Sequence, residues 1–189
     1  SSEVTLSAGS NVVNGSANIT SNGNVAIYST VGRAAEKLTI NNAENVTISI
    51  RDAAGEVSGD TKITASGTVT LKNNAPGGHV GTVDFTQADG KKYVYYTSEA
   101  EDAKLIDPRI HPLAEAAGSS YLRIEPRETY YSITVANGTA QVGDDTTGQI
   151  TTAFEGETVT VKAKAPTDED AAKGVKFHHW KVEEGSTSF

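Results

Sequence analysis

Ile19-Thr20-Ser21-Asn22-Gly23-Asn24-Val25-Ala26-Ile27 and Ile63-Thr64-Ala65-Ser66-Gly67-Thr68-Val69-Thr70-Leu71 are two copies of one phrase. A looser third copy, Ile40-Asn41-Asn42-Ala43-Glu44-Asn45-Val46-Thr47-Ile48, keeps the apolar spacing without the glycine. The copies begin at residues 19, 40 and 63, steps of 21 and 23. In each, apolar side chains recur at period two after a polar turn, so one face of a strand goes inward. Steps in the low twenties match one coil of a parallel β-helix, whose inward residues are buried only when coil stacks on coil. Leu6 to Val12 reads as a half-coil at the start. A β-sandwich whose strands share a motif by chance is the alternative, and both readings are all-β.

The remaining sequence agrees with a mainly-β chain. Valine and threonine make up 40 of 189 residues, and β-branched side chains fit a pleated surface better than a helix. Alternation appears again at Val4-Thr5-Leu6 and Val83-Asp84-Phe85. Turn dipeptides stand at Asn14-Gly15, Asn22-Gly23, Asp89-Gly90 and Asn137-Gly138, where tight connections need a positive φ. The 189 residues allow one or two domains. The net charge of −8 divides evenly, −4 in residues 1–129 and −4 in 130–189. Neither part offers a basic footprint for nucleic acid or an anionic membrane. No run approaches the ~20 apolar residues of a membrane span, and no start reads as a signal peptide. With no cysteine, disulfides, thiolate zinc sites and cysteine nucleophiles are excluded. The lack of methionine suggests a processed form or a stretch cut from a longer chain.

Residues 86–128 depart from the repeat. Asp89-Gly90 followed by Lys91-Lys92-Tyr93-Val94-Tyr95-Tyr96 predicts a hairpin with a tyrosine-rich return strand. His111-Pro112-Leu113-Ala114-Glu115-Ala116-Ala117-Gly118 predicts a helix of about two turns, opened by proline and closed by glycine. Tyr121-Leu122-Arg123-Ile124 resumes as a strand. Pro126 cannot donate to a ladder, so the first domain is expected to span residues 1–128.

A second domain is expected over residues 129–189. Tyr130 to Ala140 holds a strand and an Asn-Gly turn, and Phe154 to Pro166 a second strand stopped by proline. A short helix follows, capped by Thr167 or Asp168, with Glu169 and Asp170 in its first turn and Gly174 at its end. Phe177-His178-His179-Trp180-Lys181-Val182 predicts a strand with Phe177 and His179 on one face and Trp180 on the other, the tryptophan anchoring the core.

Tyr131-Ser132-Ile133-Thr134-Val135 before Asn137-Gly138, then Gly156 to Ala163, then Phe177 with Trp180 resemble the divergent internalin B-repeat family of bacterial surface proteins. About 60 residues, a third of the chain, carry this resemblance. It implies a small β-grasp-like module, one bead of a multi-domain exported protein and without catalysis. Two departures stand against the pattern: His179 occupies the place of a common glycine before the tryptophan, and the sequence ends at Phe189 before an expected closing strand. Residues 1–128 are more faintly similar to β-helical segments of the same class of surface proteins.

Phosphate loops, dinucleotide fingerprints, His-Glu-x-x-His and Gly-x-Ser-x-Gly are all missing from the sequence. Parallel β-helices include polysaccharide-cleaving enzymes, so Asp52, Asp60, Asp84, Arg51 and Lys62 come into view, but their spacing does not define a carboxylate pair. His178-His179 on a strand would point to opposite faces and share no metal ion. Asp144-Asp145 and Asp168-Glu169-Asp170 lack a calcium-loop pattern and read as a turn and a helix cap. Four Asn-x-Ser/Thr sequons occur, at Asn14, Asn18, Asn45 and Asn137, as expected by chance in an Asn- and Thr-rich chain.

Two functions follow as expectations. The first is a non-catalytic, secreted or cell-surface bacterial module, a stalk or adhesive scaffold, monomeric within a longer multi-domain chain and without cofactor or metal. The alternative is carbohydrate binding on a platform of Tyr93, Tyr95 and Tyr96 with Asp89 and Lys91 as polar partners. Host or environmental glycans or proteins are the expected partners, with no nucleic acid and no membrane insertion.

Overall fold

A computed structural model describes residues 3–51, 55–145, 147–148 and 150–181. The chain divides into two compact units, Ser1–Tyr130 and Tyr131–Phe189.

The first unit is a parallel β-solenoid. Each coil contributes one strand to each of two sheets. β1 (Val4–Ala8), β3 (Val25–Ser29), β5 (Val46–Ile50) and β7 (Val69–Asn73) form one parallel ladder. β2 (Ser16–Thr20), β4 (Lys37–Ala43), β6 (Asp60–Ala65) and β8 (Val83–Gln87) form the other. The repeated phrase straddles the corner between the sheets. Its isoleucine stacks as Ile19, Ile40 and Ile63, continued by Phe85. Its valine stacks as Val4, Val25, Val46 and Val69, and the next inward position as Leu6, Ile27, Ile48 and Leu71. These rows are the core, with Ile27, Ile40, Ile48, Ile63 and Leu71 all buried. Burying one such side chain contributes about 1.5–3 kcal/mol.

A third, irregular wall closes each coil. Ala34 N donates to Val57 O at 2.8 Å and Val57 N to His79 O at 3.1 Å, so backbone bonding continues between coils where strands stop. Asparagine side chains tie one coil to the next. Asn41 Nδ2 donates to Asn18 Oδ1 at 2.9 Å, and Asn11 Oδ1 accepts from Arg33 N at 3.0 Å. Two sequon asparagines, Asn18 and Asn45, therefore serve as inter-coil ties.

The end of the solenoid corrects the expected hairpin. β8 and β9 (Lys92–Tyr96) lie in different sheets and do not pair with each other. Asp89-Gly90 turns a corner of the coil, with Gly90 at φ +70°. β9 pairs antiparallel with β10 (Tyr121–Arg127), which pairs antiparallel with β7. The parallel ladder is thus finished by two reversed strands. The expected short helix forms over Leu113–Gly118 as a 3-10 helix, without a side-chain cap. Gly81 N donates to Ala117 O at 3.0 Å and Val80 N to Ser119 O at 2.8 Å, which fixes this segment over the last coil. Pro126 does not end β10. It stands opposite Tyr93, beyond Ile124, where pairing with β7 has stopped, so its missing N–H deprives no second neighbour.

Among its described residues the second unit holds two two-stranded sheets: β11 (Tyr130–Ser132), which starts at the last residue of the first unit, with β13 (Thr152–Phe154), and β12 (Gly138–Val142) with β14 (Val159–Ala163). Val142, Ala153 and Phe154 are its buried apolar residues among those described. α1 (Asp168–Ala172) forms as expected, with Thr167 Oγ1 accepting from Asp170 N and Gly174 at φ +76°. The expected strand at Phe177 is not formed over residues 177–181, and Val182 lies outside the described residues. Without strand alternation, Phe177 and Trp180 come together, ring centroids 5.1 Å apart. Trp180 is not a core anchor. It is 40% exposed, and its ring lies over Gly138, where an added Cβ would approach it to 2.6 Å.

Candidate functional site

The tyrosine strand is packed, so the sequence-based platform is not displayed. Inward alternation puts Tyr93 and Tyr95 on the core side of β9. Tyr95 is 1% exposed, and its hydroxyl donates to His111 O at 3.0 Å. Burial, with the charge of Glu115 and the neighbouring Tyr93 adding to it, pushes the Tyr95 phenol up to about 12. Tyr93 is half-buried and meets Phe85 edge to face at 5.0 Å; burial raises its phenol as well. Tyr96 faces the other way but is also buried. Arg123 lies over its ring at 4.4 Å, and its hydroxyl accepts from Arg127 Nη2 at 2.7 Å. The reason is that β9 extends the first sheet: its inner face turns Tyr95 and Tyr93 onto the core, and Arg123 and Arg127 of the neighbouring β10 reach over Tyr96.

Asp89 and Lys91 are engaged at the corner. Gln87 Nε2 donates to Ser66 O at 2.8 Å and to Asp89 Oδ1 at 3.1 Å. Lys91 Nζ stands 3.0 Å from Asp89 Oδ2 and 2.6 Å from Glu128 Oε1. The hydrogen bond from Gln87, then that from Lys91, holds the Asp89 carboxyl below the usual range. The Glu128 carboxylate, then Asp89, raises the Lys91 ammonium. These groups brace a turn.

The carboxylates and bases named from the sequence do not converge. Lys62 and Asp84 form an open surface pair at 3.8 Å on the second sheet, with Asp60 at the start of β6. Arg51 follows β5 on the first sheet, and Asp52 lies outside the described residues. His178 and His179, in irregular backbone, bring their Nδ1 atoms together instead of diverging. Among the described residues no group of three His, Asp or Glu is placed to hold a metal ion. Asp145 is a turn residue: its Oδ1 accepts from Thr147 N at 2.8 Å and Oγ1 at 2.6 Å, which lowers its carboxyl below the usual range.

Sequence reasoning missed two arrangements. Asp107, 3% exposed, is paired through both oxygens to Arg109 and accepts Arg109 N at 2.8 Å, pinning the loop before the 3-10 helix. On the outer face of the first sheet, a cleft of about 500 Å³ is lined by Ser7, Tyr28, Thr30, Ser49 and Arg51. Ser7, Tyr28 and Ser49 occupy one register row. Their spacing of 21 residues in the sequence was the available signal.

The fold and surface of the first unit define a parallel β-solenoid with polar side chains outside and aliphatic rows inside. No protein-family model, curated protein or solved structure matches the chain. No helix among the described residues is long and apolar enough to cross a membrane.

Proposed function

We propose that this chain is a non-catalytic module of a bacterial cell-surface protein, acting as stalk or adhesive scaffold. The observation that supports the reading is the continuous in-register ladder from β1 to β7 closed by the reversed β10. Such a stack is a spacer held together by backbone bonds and aliphatic rows, and its coils add length without a new core. In a cysteine-free chain this replaces the disulfides that stiffen many exported domains. The resemblance of residues 130–189 to internalin B-repeats, and the β-grasp arrangement it implies, belong to the same proposal.

Location is the test. Antibodies raised against the chain should label intact source cells, and external protease should remove the signal. Labelling only after permeabilisation overturns the reading.

A further inference from the structure

We propose that the outer face of the first sheet binds an anionic carbohydrate in the cleft at Tyr28 and Arg51. The site lies away from the packed tyrosines of β9, and it stands whether or not the chain is displayed on a cell.

Tyr28 is 43% exposed, and its directly adjacent neighbours on that face are small. Ser7 and Ser49 flank it across the ladder, each about 4.8 Å away by strand spacing. Ala26 and Thr30 flank it along its own strand direction. No aromatic or cationic group stacks on its phenol ring among the described residues, whereas Tyr93, Tyr96 and Tyr130 carry Phe85, Arg123 and Lys92. An open aromatic face suits the apolar C–H face of a sugar ring, while its hydroxyl serves the rim.

Polar groups surround the ring. Ser7, Tyr28 and Ser49 hydroxyls make no hydrogen bond among the described residues, and Arg51 has no carboxylate partner there, although the chain carries 24 acidic residues. The described residues of the lining include no carboxylate. A guanidinium left open beside hydroxyls takes a carboxylate or sulfate in bidentate fashion. Hydroxyl rows one strand apart repeat at about the length of a sugar residue, so an extended acidic chain could run across β1, β3 and β5.

The floor is already set. Thr30 N donates to Ala8 O at 3.1 Å and Arg51 N to Ser29 O at 2.9 Å, extending the ladder one residue past each strand. The buried Ser29 Oγ donates to Ser10 O at 2.7 Å. Ligand binding therefore orders little backbone, which limits its entropic cost.

The test is an amide NMR titration of the full chain with three hexasaccharides: oligogalacturonate, a sulfated heparin fragment and neutral cellohexaose. Shifts confined to residues near 7–9, 28–30 and 49–51 with at least one anionic sugar support the site, and which one binds identifies carboxylate or sulfate. Arg51→Gln should weaken that binding about tenfold, the cost of a charge-assisted pair. Tyr28→Ala should weaken it severalfold, and Tyr28→Phe should keep it within about twofold, because the ring supplies the stacking. Cellohexaose binding as tightly as the acidic sugars, binding unaffected by Arg51→Gln, or no shift with any sugar overturns the proposal. Spectra unchanged away from the cleft show that each variant is folded.

Discussion

Asn45 Nδ2 donates to Asn24 Oδ1 at 3.0 Å across 21 residues of sequence. The same side chain accepts Thr68 N at 2.8 Å, so one asparagine joins three successive coils. Asn45→Ala removes both bonds and leaves a part-buried backbone donor without its acceptor. We expect a loss of about 1–2 kcal/mol, read as a lower urea midpoint at unchanged slope. An unchanged midpoint would mean water replaces the amide at no cost.

Thr61 sits in the row Leu38, Thr61, Val83 and is 1% exposed. Its Oγ1 has no hydrogen-bond partner among the described residues. Thr61→Val keeps the shape and removes a desolvated hydroxyl. It should raise stability by about 1 kcal/mol; a decrease would show that the hydroxyl is satisfied in solution.

Gly59 marks a close approach. A Cβ there would lie 2.5 Å from Glu36 O, a backbone atom that cannot swing aside. Gly59→Ala should cost about 1–3 kcal/mol through displaced backbone. Gly118→Ala, which would meet nothing within 4 Å, is the control and should change the thermal midpoint little.

High pH should weaken the fold. The Tyr95 phenol titrates near 12 in the folded chain against 10 when free, so the unfolded chain loses this proton first as pH rises. The contribution is full below about pH 10 and is lost between 10 and 12. Tyr93 and Lys91, also raised, act in the same direction. Urea midpoints measured from pH 8 to 11.5 should fall, and Tyr95→Phe should make the fall shallower. An identical pH profile in the variant would show that Tyr95 does not couple to unfolding.

The solenoid was legible because stacking forces equivalent residues into equivalent places. Val25, Val46 and Val69 must match, since each is buried by the next. The ending was less legible for the same reason. β9 and β10 match no coil, and Asp89-Gly90 signals a sharp turn equally well for a hairpin or a corner. The tyrosines of β9 looked available because alternation tells which face a ring takes, but not what lies over that face. Tyr28 was passed over because its partners, Ser7 and Ser49, are remote in sequence and adjacent only after coiling. At Phe177–Trp180 the pattern resembled a strand, but no ladder forms over residues 177–181.

The coil steps of 21 to 23 residues make permitted changes of length discrete. A single residue inserted inside β5 would exchange its inward and outward sides and expose Ile48. One or two residues at a corner would be absorbed, as the difference between the 21-residue step from Ile19 to Ile40 and the 23-residue step to Ile63 illustrates. A complete added turn would lengthen the rod by about 4.8 Å and present every existing row with one more equivalent rung. The solenoid unit can therefore be treated as a ruler graduated in whole turns, adjustable by duplication but not by gradual extension.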